Sequence, residues 1–180
     1  MGIFDVLFPR LAAERKAAAE AYRRLLHHAL APAHYRDFGV PDTFEGRAGM
    51  VTLLTSLAIT RLRRIGGAEA AALALRLDER VLDGFDAAHR ETGVGDHSIA
   101  RKVRKTAQVH AGMGKALFAA LEATSGPDDD LAAVLRRNGI VTQAGAGRLA
   151  AAALAMLAHL EAQPDAEILA GAFDWTVPAM

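Results

Sequence analysis

The chain has 180 residues, 52% hydrophobic and 23% charged, which describes one globular domain with a sizeable core. Lys plus Arg and Asp plus Glu number 21 each, so no overall field draws the protein to nucleic acid, and specific DNA recognition is not expected. The absence of cysteine excludes disulfide frameworks, thiolate zinc sites and cysteine nucleophiles together, and it suits a cytoplasmic setting.

The longest apolar runs, residues 48–60 and 149–158, fall short of the ~20 residues a membrane span needs. At the N-terminus, Val6 stands where a myristoylation signal requires Ser or Thr. Ile3, Phe4, Val6, Leu7 and Phe8 with Arg10 behind them form a short apolar cluster that packs on the domain or rests on a bilayer surface, and packing is the commoner fate of such a terminus. A first helix is expected over about residues 9–31, with Leu11, Ala18, Tyr22, Leu25 and Ala29 on one stripe and Pro32 as its stop.

Residues 32–41 read as irregular chain, and Asp42 followed three places on by Glu45 reads as a capping box that opens the next helix. That helix turns Met50, Leu53, Leu54, Leu57, Leu62 and Ile65 inward. Its reverse face, Thr52, Thr55, Ser56 and Thr60, is mild enough to lie against another surface rather than in open water. Gly66-Gly67 ends it, and a third helix over about 68–89 carries Leu77, Val81 and Phe85 in one row.

That helix delivers Arg90 to Arg90-Glu91-Thr92-Gly93-Val94-Gly95-Asp96, a charged hinge freed by two glycines, which is how a recognition loop is written. A fourth helix over about 98–124 starts with the basic run Arg101-Lys102-Val103-Arg104-Lys105 and places Ile99, Val103, Thr106, His110, Met113, Leu117 and Leu121 at helical spacing. Ser125-Gly126-Pro127 terminates it. Asp128, Asp129 and Asp130 then suit the positive end of a short helix that closes at Asn138-Gly139. A last long helix stacks Leu149, Ala153, Met156, Leu157 and Leu160, and a short piece after Pro164 reaches Phe173 and Trp175. No stretch alternates as a strand does, so the expected class is all-α, about six to seven helices without a sheet. Residues 1–34 are expected to pack as an N-terminal helix on a core of 35–125, with 126–180 completing the same domain.

Chemistry is sparse. His27, His28, His34, His89, His97 and His110 include no i, i+4 pair with the carboxylate of a helical zinc site, so no metal is expected. His110 lies on an apolar stripe and reads as a hydrogen-bonded core histidine. No Gly-x-Ser-x-Gly elbow, phosphate loop or dinucleotide fingerprint occurs, so neither catalytic residues nor a cofactor is expected. Arg90 is placed to pair with Asp86 at i, i+4, and Asp96 to cap the helix that follows. The run from Arg101 to Lys105 reads as a solvated helix face or as a contact for protein, RNA or an anionic membrane surface.

The order of these pieces is specific. Asp42-Thr43 with Gly46-Arg47, then Arg61-Leu62, then Arg90-Glu91-x-Gly93-Val94-Gly95-Asp96, then Val103 and Lys105, then Gly112, resembles the ubiquinol–cytochrome c chaperone family over roughly residues 35–121, with Arg137-Asn138 as a weaker piece. The resemblance implies an all-helical, non-enzymatic assembly factor for the ubiquinol–cytochrome c reductase, one that binds newly made cytochrome b before haem insertion and assembly are complete. It implies a ribosome or second assembly factor as further partners. At His110-Ala111-Gly112-Met113 the chain keeps the family's glycine and departs from its usual aromatic pair and arginine. Mitochondrial relatives carry targeting and membrane-attachment regions upstream, whereas this chain starts almost at the domain and is similar to a bacterial form, expected in the cytoplasm or on the inner face of its membrane. On this reading Arg47, Arg90, Glu91, Asp96, Arg101, Lys102 and Lys105 are the partner-binding candidates, while Asp42, Thr43, Gly46, Gly93, Gly95 and Gly112 shape the motif. The alternative is a helical module that binds protein or RNA through residues 101–105.

Overall fold

Helix α3, Phe44–Ile65, runs through the middle of the molecule and is buried on nearly every side. A helix buried nearly all round needs partners for its polar side chains, and three of these have them, while Thr60 Oγ1 is buried without a hydrogen-bond partner among the described residues. Thr52, Thr55 and Ser56 donate to the carbonyls of Ala48, Val51 and Thr52 at 2.8, 2.7 and 2.9 Å. The mild face therefore lies against other helices as its composition implies, and Thr60 is buried beside it. Met50, Leu53, Leu54, Leu57 and Leu62 are fully buried on the other side, while Ile65 at the end is only half covered.

The computed structural model describes residues 9–91, 96–122 and 127–176, with side chains over 11–91, 99–122 and 130–176, and every regular element among them is a helix. Around α3 stand α1 (Pro9–Ala29), α4 (Gly67–Glu91), α5 (Asp96–Glu122) and α7 (Ala146–Ala162), with α6 (Pro127–Arg137) bridging α5 and α7. Gly66, at φ +75°, turns the chain from α3 into α4 in a conformation that a Cβ would strain. Small residues let α1 approach α4 closely: Ala17, Ala18 and Ala21 are buried in that seam with Leu25. Leu11, placed on the same stripe by the sequence, is 40% exposed. The alanine-rich α7 packs inside the molecule, with Ala146, Ala150 and Ala153 buried.

Two details correct the sequence reading. The supposedly irregular residues after Pro32 form a short helix, α2 (Pro32–Asp37), with proline at its first turn. Its side chains close the end of α1: Tyr35 Oη donates to the Ala29 carbonyl at 2.8 Å and His34 Nε2 to that of His28 at 3.0 Å. Six residues are too few for a periodicity to show in the sequence. At the start of α3 the cap is Thr43, whose hydroxyl accepts from the Gly46 amide at 3.1 Å, rather than Asp42. Asp42 instead accepts from Arg47 at 2.7 Å.

Beyond α8 (Asp165–Leu169) an extended segment runs back across the α1–α2 corner. Phe173 and Trp175 are buried and stacked, 5.9 Å apart, and Trp175 stacks in turn on His28 at 6.0 Å. His28 Nε2, His34 Nδ1 and Trp175 Nε1 are buried without a hydrogen-bond partner among the described residues. Burial, then the neighbouring charges of His34 and His27, holds His28 down at about 4, against the opposing pull of Asp174. Burial also lowers His34. Because the unfolded chain binds protons there more readily, stability is full above about pH 6.5 and falls as pH drops toward 4. The His28 ring is partly exposed and screened, so the loss is expected to be about 1–2 kcal/mol. Urea denaturation at pH 7.5 and pH 4.5 checks this, and His28→Gln is expected to flatten the difference between them.

Candidate functional site

A cleft of about 480 Å³ opens where the start of α3, the end of α4 and the first half of α5 converge, closed at one side by Asn138 and Gly139 after α6. Its walls come from distant parts of the sequence. α3 supplies Phe44, Ala48 and Gly49, α4 supplies Phe85 and His89, and α5 contributes Val109 and Met113. Val109 is 51% exposed and continues the apolar wall out to solvent.

The polar groups inside are matched to one another. His89 Nε2 lies 2.8 Å from Thr106 Oγ1, and the imidazole stands 4.4 Å from the Phe44 ring. His110 is 7% exposed and engaged at both nitrogens, Nδ1 with Thr52 Oγ1 at 2.8 Å and Nε2 with Asp78 Oδ1 at 3.0 Å. It is the core histidine that its apolar stripe implies, tying α5 to both α3 and α4. Among the described residues no group of three or more histidines and carboxylates could hold a metal ion. Among the described residues the cleft thus presents mostly hydrocarbon within and its charge at the mouth.

That charge is Lys102 and Lys105, which lie one helical turn apart on the face of α5 that continues into Thr106, Val109 and Met113. Both are exposed, and neither has an ion pair or hydrogen bond among the described residues. Glu45 occupies the opposite lip. The other charged candidates are scattered. Arg90 holds Asp86 at 2.8 Å, the i, i+4 pair its position implies, and shares with Arg104 a shallow groove between α4 and α5. Glu91 is exposed at the last residue of α4, and Arg101 is exposed outside the cleft. Arg47 stands away from the cleft, with its guanidinium 5.8 Å from the Tyr35 ring, and holds the Asp42 carboxyl below the usual carboxylate range. Gly93, Gly95 and the side chain of Asp96 lie outside the described residues, as do the apolar cluster at 3–8 and the hinge reading itself.

The cleft's aromatic and aliphatic members, Phe44, Phe85 and Val109, were not evident as site residues in the sequence. One signal could have found Val109. It sits four places after Lys105 and four before Met113, so it belongs to the same face as both.

A family model described as "Ubiquinol-cytochrome C chaperone" matches residues 36–175. The chain belongs to this family. The match extends well past the motifs that first carry the resemblance and takes in α6, α7 and the segment ending at Trp175. A solved structure, "Crystal structure of the Cbp3 homolog from Brucella abortus", superposes with a TM-score of 0.80 at 27% identity over 97% of each chain. Comparison with curated protein sequences returns no match.

The family's recurrent pieces can be read in this ubiquinol–cytochrome c chaperone as architecture. In Asp42-Thr43-x-x-Gly46-Arg47 the threonine caps α3, the glycine lets the chain fold back, and Asp42 and Arg47 close the turn from outside. Arg61 is 7% exposed in α3, and its guanidinium donates to the Leu160 carbonyl at 2.8 Å and the Gln163 carbonyl at 3.0 Å while pairing with Asp165. It fastens α3 to the C-terminal end of α7, whose carbonyls have no helical partners. Gly112 has no such duty: it is exposed, and a Cβ there would meet nothing within 4 Å.

Proposed function

We propose that this chaperone holds newly made cytochrome b, without catalysis, while the ubiquinol–cytochrome c reductase is assembled, and that the α3–α4–α5 cleft is where part of the client lies. The reading is carried by the family match over residues 36–175. The cleft supports it physically. Exposed apolar surface beside Val109 and Phe44, rimmed by lysines that have no partner among the described residues, suits a hydrophobic chain with polar ends better than it suits a small polar substrate. Lys102 and Lys105 are the primary client contacts, and Arg90, Glu91, Asp96 and Arg101 extend the same end of the molecule toward the client, a ribosome or a second assembly factor. Arg47 serves the α3 turn instead. No helix among the described residues is long and apolar enough to cross a membrane, and the client is met at the inner membrane face.

A tagged pull-down from detergent-solubilised host membranes tests this, with the wild type beside Val109→Asp, Lys102→Glu/Lys105→Glu and Arg90→Glu. Cytochrome b is expected with the wild type and at least several-fold less with the two cleft variants. Equal recovery by every folded variant would move the client away from the cleft. Recovery of RNA in place of cytochrome b would favour the basic run as a nucleic-acid contact, and its retention would then fall steeply with salt.

A further inference from the structure

The cleft has an uneven distribution of unused bonding capacity. Inside, His89 is engaged with Thr106 and His110 with Thr52 and Asp78, so the interior asks for no polar group from an occupant. It offers hydrocarbon contact from Phe44, Phe85, Val109 and Met113. At the mouth the balance is reversed. Lys102 and Lys105 carry two ammonium groups with no partner among the described residues, and Glu45 across from them leaves a net single positive charge.

An occupant that satisfies both halves has one anionic end and one unbranched apolar body. We propose that the cleft binds a long-chain carboxylic acid, with the carboxylate between Lys102 and Lys105 and the chain lying along α5 toward Met113. Charge-assisted hydrogen bonds from two ammonium groups suit a monoanion, and Glu45 disfavours a head carrying more charge. The length agrees. Lys105 and Met113 are eight residues apart on one helix, about 12 Å at the helical rise, the reach of a medium to long acyl chain. The cleft's 480 Å³ lies within the usual range for one small ligand. A bound acid of this kind would occupy the apolar wall that the client reading assigns to cytochrome b, so the inference rests on that wall being accessible and makes the acid a competitor for it.

Isothermal titration of the purified full-length protein with dodecanoate, below its micelle concentration, tests the proposal. One site is expected for the wild type, with binding weakened roughly tenfold or more in Lys102→Gln/Lys105→Gln and for dodecanol, which keeps the chain and loses the charge. Both lysines are exposed, so the variant is expected to fold, and circular dichroism checks it. Equal affinity of the wild type and the double variant, or no binding, overturns the proposal. Retention on phosphatidylglycerol vesicles without binding of monomeric dodecanoate also overturns it, because the lysines would then read a lipid surface. Client capture in the pull-down is a separate measurement. If dodecanoate fails to bind while cytochrome b is still captured, only the ligand proposal falls, and if dodecanoate binds while no cytochrome b is captured, only the client reading does.

Discussion

Arg61→Met is expected to destabilise the protein by about 3 kcal/mol and to lower its melting temperature by roughly 6–12 °C. The aliphatic part of the replacement fits the space, so the loss comes from polar groups. Two carbonyls at the end of α7, those of Leu160 and Gln163, lose the donor that covers them, and each buried orphan costs about 1–3 kcal/mol. Asp165 adds less, because its carboxylate is 61% exposed and is solvated when the guanidinium goes. Arg61→Lys is expected to recover only part of the loss, since one ammonium on a flexible stem does not reproduce a planar fork held by two carbonyls and a carboxylate. Thermal denaturation of the three proteins decides this. A melting point for Arg61→Met within 2 °C or so of the wild type, on a scale of about 2–4 °C per kcal/mol, would mean that the α3–α7 junction is held by packing alone.

The second large effect separates two glycines of the same family pattern. At Gly46 a Cβ would stand 1.9 Å from the Pro41 carbonyl oxygen and 3.0 Å from its carbon, both backbone atoms that cannot swing aside. Gly46→Ala is expected to cost about 2–4 kcal/mol, the sum of overpacking and of losing much of the Thr43 cap. At Gly112 the same change meets nothing, lies inside an exposed helix, and is expected to stabilise by about 0.5–1 kcal/mol. Urea titrations give both values. The contrast also separates folding from function: a Gly112→Ala protein that is more stable yet captures less client would place that bare helix surface in the interface.

The helices are legible because their apolar rows are long. Leu77, Val81 and Phe85, or Met113, Leu117 and Leu121, leave little alternative to a helix with one buried face. Thr52, Thr55 and Ser56 were legible in a subtler way, since hydroxyl side chains can return their bonds to the same helix, and Thr52 in addition meets His110 on α5. α2 was not, because its reason for being helical is tertiary: His34 and Tyr35 are held by the end of α1. The shift of the cap from Asp42 to Thr43 has a similar cause, with Arg47 claiming the aspartate. The cleft was the least legible of all. Lys102 and Lys105 stood out as charge, but Phe44 and Phe85 reach the same wall from other helices, and no local pattern announces which core residues will be left at an edge.

The stack of His28 on Trp175 joins the first long helix to nearly the last described residue. On a chain made from its N-terminus onward, the α1–α2 corner is finished early and stays uncovered until Phe173 and Trp175 have been translated and have left the exit tunnel. Closure of the α1–α2 corner therefore waits on the synthesis of a segment about 140 residues further along the chain. A message cut short after α7 would yield a chain with most of its helices and an open seam, the kind of product that cellular proteases recognise.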